Sequence, residues 1–463
     1  MVDRMGRRDF LRSAGIAASA LLLAACQPQV VEVEKVVKET VEVEKVAEKG
    51  ATDPIRLRFS AWGDVQDKDV YEKIVYEFMQ AQSQIIPSVE QYLGGYYEKI
   101  IANFAAGNSA DVLYFQGWTW QKFVENAQLR ALDPFIEVDH KSSWWPEFQA
   151  FQEATRWQGQ TYMTPTDTSG WVTFYNKDLF DNQGIPYPHD DWTWDDYKEA
   201  IISLAHEDGG TKYYSYAEDN AYYFMWLLPV RKDGLLEWDR IVEPTKAQWS
   251  QEAIIRDMQF YAVDQIQLGY QPEPAVLAGG GISVYSGRVA MMFDGSWRLP
   301  RMFGDKAEVE GGLNYDVALL PKGESGRSEG MPFIHGHVMA AATQEPEASW
   351  ELLKFILDEQ GQQIVAEGGR CCGRPEMIEQ LWVPLAMEKY ACENAQAFAR
   401  ALEQGTHPII AGEGGDITAI SASGGPLPMA RDQMVQGVSA EEALTEMDEG
   451  LQIILDKYWE ARS

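Results

Sequence analysis

Three tryptophans stand where strand-like segments run out into turns: Trp62 in Ser60-Ala61-Trp62-Gly63, Trp118 in Gln116-Gly117-Trp118, and Trp297 at the end of GRVAMMFDGSW, Gly287 to Trp297. An aromatic ring in such a place either fills a core or stacks on a flat apolar ligand face. Asp294, Gly295 and Ser296 are turn-formers that lead the backbone off the strand just before Trp297. Sharper chemistries do not assemble. His335-Gly336-His337 has ligand residue types for a metal, but the chain holds only 6 histidines and no further ligand lies at metal spacing. Gly279-Gly280-Gly281 lacks the Gly-Lys-Ser/Thr that follows in a phosphate loop and reads as a flexible linker. Carboxylates are abundant, at 71 Asp plus Glu, yet nothing fixes two of them in one place for glycoside hydrolysis. No metal and no cofactor is expected.

The elements that must position these rings belong to a chain of 463 residues, too long for one hydrophobic core and long enough for two or three domains. With 39 Lys plus Arg against 71 Asp plus Glu the net charge is −32, and a field of that sign repels nucleic acid. Nucleic-acid binding is therefore excluded.

The first residues read as an address. Arg7 and Arg8 precede the apolar run AGIAASALLLAA, which is too short to span a membrane and suggests a twin-arginine export signal. Leu23-Ala24-Ala25-Cys26 resembles a lipobox, so residues 1–26 form a lipoprotein signal peptide and Cys26 is the lipidated residue. The protein is then exported and held by lipid at the outer face of the cytoplasmic membrane. Residues 27–52, in which VEVEKV recurs at Val31–Val36 and Val41–Val46, read as a charged flexible linker. Cys371, Cys372 and Cys392 remain, an odd number in an oxidising compartment, and one disulfide from Cys392 to Cys372 or to Cys371 is expected.

From Asp53 the pattern becomes globular. Ile55, Leu57 and Phe59 alternate with Arg56 and Arg58 as in a strand, and Val70, Ile74, Val75 and Phe78 share one face of a helix. Ile100, Ile101, Phe104 and Ala105 repeat the helical spacing before Gly107, and DVLYF from Asp111 is a short buried strand. Thr193 with Asp196, and Ser439 with Glu442, have capping-box spacing, and Pro346 opens a further helix. Strand-helix alternation implies an α/β fold with mainly parallel sheets flanked by helices. Ligands in such sheets sit beyond the carboxyl ends of strands, which is where Trp62 and Trp118 fall. Two such units make a cleft, a preferred ligand site.

YYEKIIANFAAGNSADVLYF, WQKFVENAQLRALDPFI, TFYNKDLFDNQGI followed by DWTWDDYKEA, GRVAMMFDGSW, GHVMAAATQEPEASWELLKFI and AEGGRCCGRPEM together resemble, in order, the extracellular solute-binding proteins of ABC importers, the family that includes maltose-binding and other sugar-binding lipoproteins. The resemblance implies a two-lobed periplasmic-binding-protein fold with a hinge and an interlobe cleft. One lobe would comprise residues 53–165 plus 338–375 and the other 166–337 plus 376–463, with crossings near Pro165, Gly336 and Arg374. It implies a monomer that captures a sugar or oligosaccharide, delivers it to membrane permease subunits and catalyses nothing. A sugar presents C–H faces for aromatic platforms and a rim of hydroxyls for polar side chains. The expected ligand-binding residues are Trp62, Trp118, Trp226 and Trp297 as platforms, with Gln116, Asp167, Asn220, Asp294 and Arg374 as the rim; Trp297 matches the family's stacking position. Tyr175 points into a sheet face and is structural. A surface-anchored glycoside hydrolase using the same cleft is the alternative, and a ligand sensor for a membrane receptor a third reading.

Overall fold

The alternation that begins at Ile55 is the first strand of a sheet, and its burial follows the sequence: Leu57 and Phe59 turn inward. The computed structural model describes residues 53–63, 65–92, 94–217, 222–278, 282–302, 313–406 and 424–463. The expected export signal with Cys26, the expected 27–52 linker, Asn220 and Gly279–Gly281 lie outside the described residues. Residues 53–463 form one unit. Its strands are β1 (Ile55–Trp62), β2 (Ile85–Tyr92), β3 (Val112–Gln116), β4 (Leu129–Arg130), β5 (Arg156–Trp157), β6 (Gln160–Thr161), β7 (Met163–Ser169), β8 (Val172–Asn176), β9 (His206–Asp208), β10 (Thr211–Tyr216), β11 (Val289–Asp294), β12 (Tyr315–Leu319), β13 (Phe333–Ala340) and β14 (Cys371–Cys372).

They build two main sheets. The first has the order β14-β7-β13-β3-β1-β2, with β4 also on β13; the second runs β12-β8-β11-β10-β9. Helix Val65–Ala81 lays Val70, Ile74, Val75 and Phe78 on the first sheet beside helix Pro346–Leu357. The long C-terminal helix Ala440–Glu460 packs its apolar stripe into the core of the second. Thr193 and Asp196 form the capping box, with the Thr193 amide donating to Asp196 Oδ2 at 2.7 Å, and Ser439 Oγ accepts from the Glu442 amide at 3.2 Å. Tyr175 lies in β8 and is buried in the second core.

The sheets are mixed rather than mainly parallel. Among the described residues, β1–β2, β1–β3 and β10–β11 pair in parallel and the other strand pairs of both sheets are antiparallel. The cause is connectivity. The chain leaves the first sheet along β7 straight into β8 of the second, and returns from β12 along β13. Outgoing and returning strands lie side by side, so they run in opposite senses. Where they pass, the register slips between His335 and Gly336, and a Cβ on Gly336 would fall 1.7 Å from the Thr164 carbonyl oxygen. Only glycine permits that approach.

The expected disulfide does not form. Cys371, Cys372 and Cys392 are free and buried. Cys372 sits on the edge strand β14 with Sγ 3.8 Å from the Gln362 carbonyl, whereas Cys392 follows helix Val383–Tyr390 with Sγ 4.0 Å from Asp316 Oδ1, so the two thiols face different partners. Burial pushes the Cys372 thiol up to about 12, which keeps it protonated and inert.

Candidate functional site

The carboxyl ends of β1, β3 and β11 meet the crossing strands β7 and β13 around a cavity of about 570 Å³. Its aromatic walls come from both sheets. Trp62, the last residue of β1, is half-buried and lies parallel to Tyr114, with ring centroids 6.2 Å apart and planes at 6°. Trp297 follows β11 across Gly295 and remains 39% exposed, the property a stacking platform needs. Its ring stands edge-on against Trp171 and Phe333, at 6.2 and 5.6 Å. Gly295 permits this pose: a Cβ there would come within 2.3 Å of the Trp297 ring. The Ser296 amide donates to Ser169 Oγ at 2.7 Å, which ties the turn to the end of β7.

The polar floor centres on Arg370. Its guanidinium donates to Asp167 Oδ2 at 2.9 Å and, through Nε, to Asp67 Oδ1 at 2.9 Å, so one cation bridges two carboxylates. Tyr114 Oη donates to Asp167 Oδ1 at 3.1 Å and packs beneath the pair. Burial is the largest single influence and disfavours the guanidinium charge, but Asp167, Tyr114, Tyr71 and Asp67 together outweigh it and hold Arg370 well above its ordinary value. Gln116 closes one side, its amide oxygen accepting from Tyr97 Oη at 3.1 Å, which leaves the amide nitrogen as its remaining polar atom. His335 lines the cavity with burial pushing its pKa down to about 4, and His337, deeper, is pushed down to about 3. Both rings are neutral at pH 7. Among the described residues no group of His, Cys, Asp and Glu is arranged to hold a metal ion, and no helix is long and apolar enough to cross a membrane.

Of the nine residues expected to bind ligand, the cavity gathers Trp62, Gln116, Asp167 and Trp297. Trp118 and Asp294 lie just outside it. Trp118 is buried edge-on against Phe333 at 4.8 Å, and Asp294 is buried, accepting from the Gly295 amide at 2.8 Å and from Arg298 Nε at 2.5 Å. Trp226 is in the core of the second sheet, and Arg374 sits over the Trp144 ring at 4.9 Å with Nη1 donating to the Leu357 carbonyl at 3.0 Å. Asn220 is outside the described residues. Asp67 and Arg370 line the cavity though neither is among the expected residues; Asp67 has no motif to mark it, and Arg370 lies within AEGGRCCGRPEM, the stretch whose Arg374 is expected to face ligand instead. The available signal for Arg370 is the Gly368-Gly369 pair before it: Gly369 has φ +88°, and this turn carries the chain from helix Glu359–Glu367 to the cavity edge.

A model described as bacterial extracellular solute-binding protein matches residues 62–363. Putative binding proteins of Brucella abortus and Brucella suis are 24% identical over 278 residues, which is 56% of this chain. The chain spans 61% of the length of these curated relatives. Among solved structures, an ABC substrate-binding protein from Listeria monocytogenes in complex with cycloalternan has a TM-score of 0.72 at 19% identity, with 87% of this chain and 100% of that one covered. The sugar-binding protein MalE from Xanthomonas citri gives 0.71 at 19% identity, covering 88% and 99%. The GacH receptor of Streptomyces glaucescens, described unliganded and with acarbose, gives 0.69 at 20% identity, covering 87% and 99%. At such identities the likeness establishes the two-lobed α/β fold.

Proposed function

Because the chain belongs to the bacterial extracellular solute-binding protein family, we propose that it is the substrate-binding component of a sugar ABC importer, non-catalytic, taking a saccharide into the Trp62–Trp297 cavity and passing it to permease subunits. The observation that carries this reading is the pairing of two tryptophans from different sheets across a cavity whose floor is polar. Rings from both sides suit the two faces of a pyranose, and Gln116, Asp167 and Arg370 suit its hydroxyls. Hydrogen bonds to charged groups contribute about 1.5–3 kcal/mol each and a neutral one about 1 kcal/mol, while micromolar affinity needs roughly 8 kcal/mol, so two platforms with bonds to Asp167, Arg370 and Gln116 reach that range. The saccharides named for similar structures, among them acarbose and α-D-tagatose, support the same ligand class.

A glycoside hydrolase would need one carboxyl to carry a proton and a second to attack or to activate water. The two carboxylates lining the cavity instead share the guanidinium of Arg370, an arrangement that fixes a cation rather than moves a proton. Lobes of residues 53–165 plus 338–375 and 166–337 plus 376–463 moving about the crossing strands would close the cavity. Lipidation at Cys26 and the 27–52 linker would hold the lobes at a distance from the membrane.

Melting curves of the full chain with maltose, acarbose and D-tagatose test the reading, since a ligand at 100 times its Kd stabilises by about 2.7 kcal/mol. A rise with one of them, without release of reducing ends, is expected; no rise with any at millimolar sugar overturns the saccharide assignment. Cys26→Ser is expected to release the protein from membranes, and retention after a carbonate wash overturns the lipid anchor.

A further inference from the structure

Strand register lays a polar row across the cavity floor. His335 on β13 pairs with Gln116 of β3 on one side and with Asp167 of β7 on the other. Directly opposed residues project from the same face of a sheet, and all three line the cavity. The outer two are already engaged, Gln116 by Tyr97 and Asp167 by Arg370 and Tyr114. His335 is not. It is 7% exposed and boxed edge-on by Trp118, Phe333 and Tyr114, at 5.3, 5.8 and 6.2 Å, while its Nδ1 has no hydrogen-bond partner. Apart from the Ile334 backbone the structure gives this ring no hydrogen-bonding group, so a buried imidazole stands in the cavity wall with its polar capacity largely unused.

His337 supplies the contrast within the same tripeptide. Its Nδ1 lies 2.6 Å from Thr166 Oγ1, and although its Nε2 is also unpartnered, the ring is sealed from the cavity beneath Tyr114 and Phe59. The two histidines are thus alike in composition and different in access, and access is what a ligand group requires.

We propose that the imidazole of His335 hydrogen-bonds a hydroxyl of the bound saccharide and thereby helps to set which sugars the cavity accepts, an inference that rests on the saccharide reading above. Burial, reinforced by the Arg370 charge and opposed by Asp167, keeps the ring neutral at pH 7. A neutral imidazole offers one donor and one acceptor, the same pair that a hydroxyl offers, so either tautomer can complete the bond. A charged ring would favour anions instead.

His335→Phe keeps a planar ring and deletes both nitrogens. In the full chain its ligand-free melting temperature is expected to stay near the wild-type value, because no side-chain hydrogen bond is lost. Affinity for whichever of maltose, acarbose and D-tagatose binds the wild type is expected to fall about ten-fold or more in calorimetric titration. His335→Asn and His335→Gln, which return a polar atom near the Nδ1 and Nε2 positions respectively, are expected to recover part of that loss and to show which nitrogen is used. An affinity within two-fold of wild type in His335→Phe overturns the inference. A ligand-free melting temperature that drops by several degrees also overturns it, since the nitrogens would then serve the fold. A wild-type chain that responds to none of the three sugars overturns the saccharide reading and this inference with it, whereas wild-type binding with an indifferent His335→Phe overturns the inference alone.

Discussion

Trp226 and Trp297 are the same residue in two opposite settings. Trp226 sits in helix Tyr222–Arg231, where Met225, Trp226, Leu227 and Leu228 are all buried, so consecutive positions face protein on every side. A helix that is apolar all round is a core helix. Trp297 sits in a single 3₁₀ turn, Ser296–Arg298, at a strand end, is 39% exposed and lines the cavity. Residue type says little about which tryptophan meets ligand; the neighbours decide. A run without polar interruption seals the ring, and Asp-Gly-Ser before it lifts the ring out of the sheet.

That contrast can be broken experimentally, and the strongest blow falls on the core side. Trp226→Ala is expected to cost about 3–5 kcal/mol of folding stability, visible as a lowered denaturation midpoint, while the folded fraction keeps its affinity for sugar. Affinity lost in parallel would put Trp226 in the site after all. A smaller effect is expected near the other end of the same helix. Burial raises the Glu329 carboxyl to about 7 despite the opposing pull of Arg231, and Thr406 donates to it. A carboxyl raised in the folded state keeps its full contribution below the unfolded value of 4.5 and loses it as pH climbs through about 7. Stability is therefore expected to fall on the order of 2–3 kcal/mol between pH 5 and pH 8 from this group, and Glu329→Gln to flatten that slope with binding unchanged. An unaltered slope in urea titrations would remove Glu329 as its source.

On the cavity side the effects move from stability to affinity. Trp297→Ala removes a platform of which about 100 Å² is open to ligand, on the order of 2 kcal/mol or about 30-fold in affinity, with a stability loss well below that of Trp226→Ala. The reverse pattern, a large melting shift with affinity kept, would make both tryptophans core residues. Gly295→Ala is the finest probe. A Cβ 2.3 Å from the ring must displace it, so affinity is expected to fall about ten-fold in titration while the melting temperature stays near wild type. Full affinity in that variant would mean the platform tolerates a different pose.

The parts of this molecule legible in sequence are those written in local patterns. The alternation of Ile55, Leu57 and Phe59, the 3.6-residue spacing of Val70, Ile74 and Phe78 and the capping pair Thr193/Asp196 each correspond to an element of the two-lobed α/β fold. Trp62, Gln116 and Trp297 are marked by strand ends, which is where the cavity opens. What local pattern does not carry is cross-strand register and the direction of a side chain in a loop. Arg370 and Arg374 stand four positions apart in GGRCCGR; the two-residue strand β14 between them sends one to the Asp67–Asp167 pair and the other over Trp144. His335 sits beside Gln116 only because β13 returns next to β3. Asp294 looks available in sequence, but the Gly295 amide and Arg298 take up its oxygens.

The return of β13 to β3 has a consequence for how the chain reaches this structure. Gln116 waits for His335, more than two hundred positions further along, and until β13 is made the inner edge of β3 has no partner on that side. At roughly 5–20 residues per second, synthesis leaves that edge bare for about ten to forty seconds, with Val112, Leu113, Tyr114 and Phe115 along it. Unpaired apolar edges invite pairing with other chains, and contacts of such long sequence separation form slowly. Expression level and chaperone supply, rather than final stability, are therefore expected to govern the yield of folded protein.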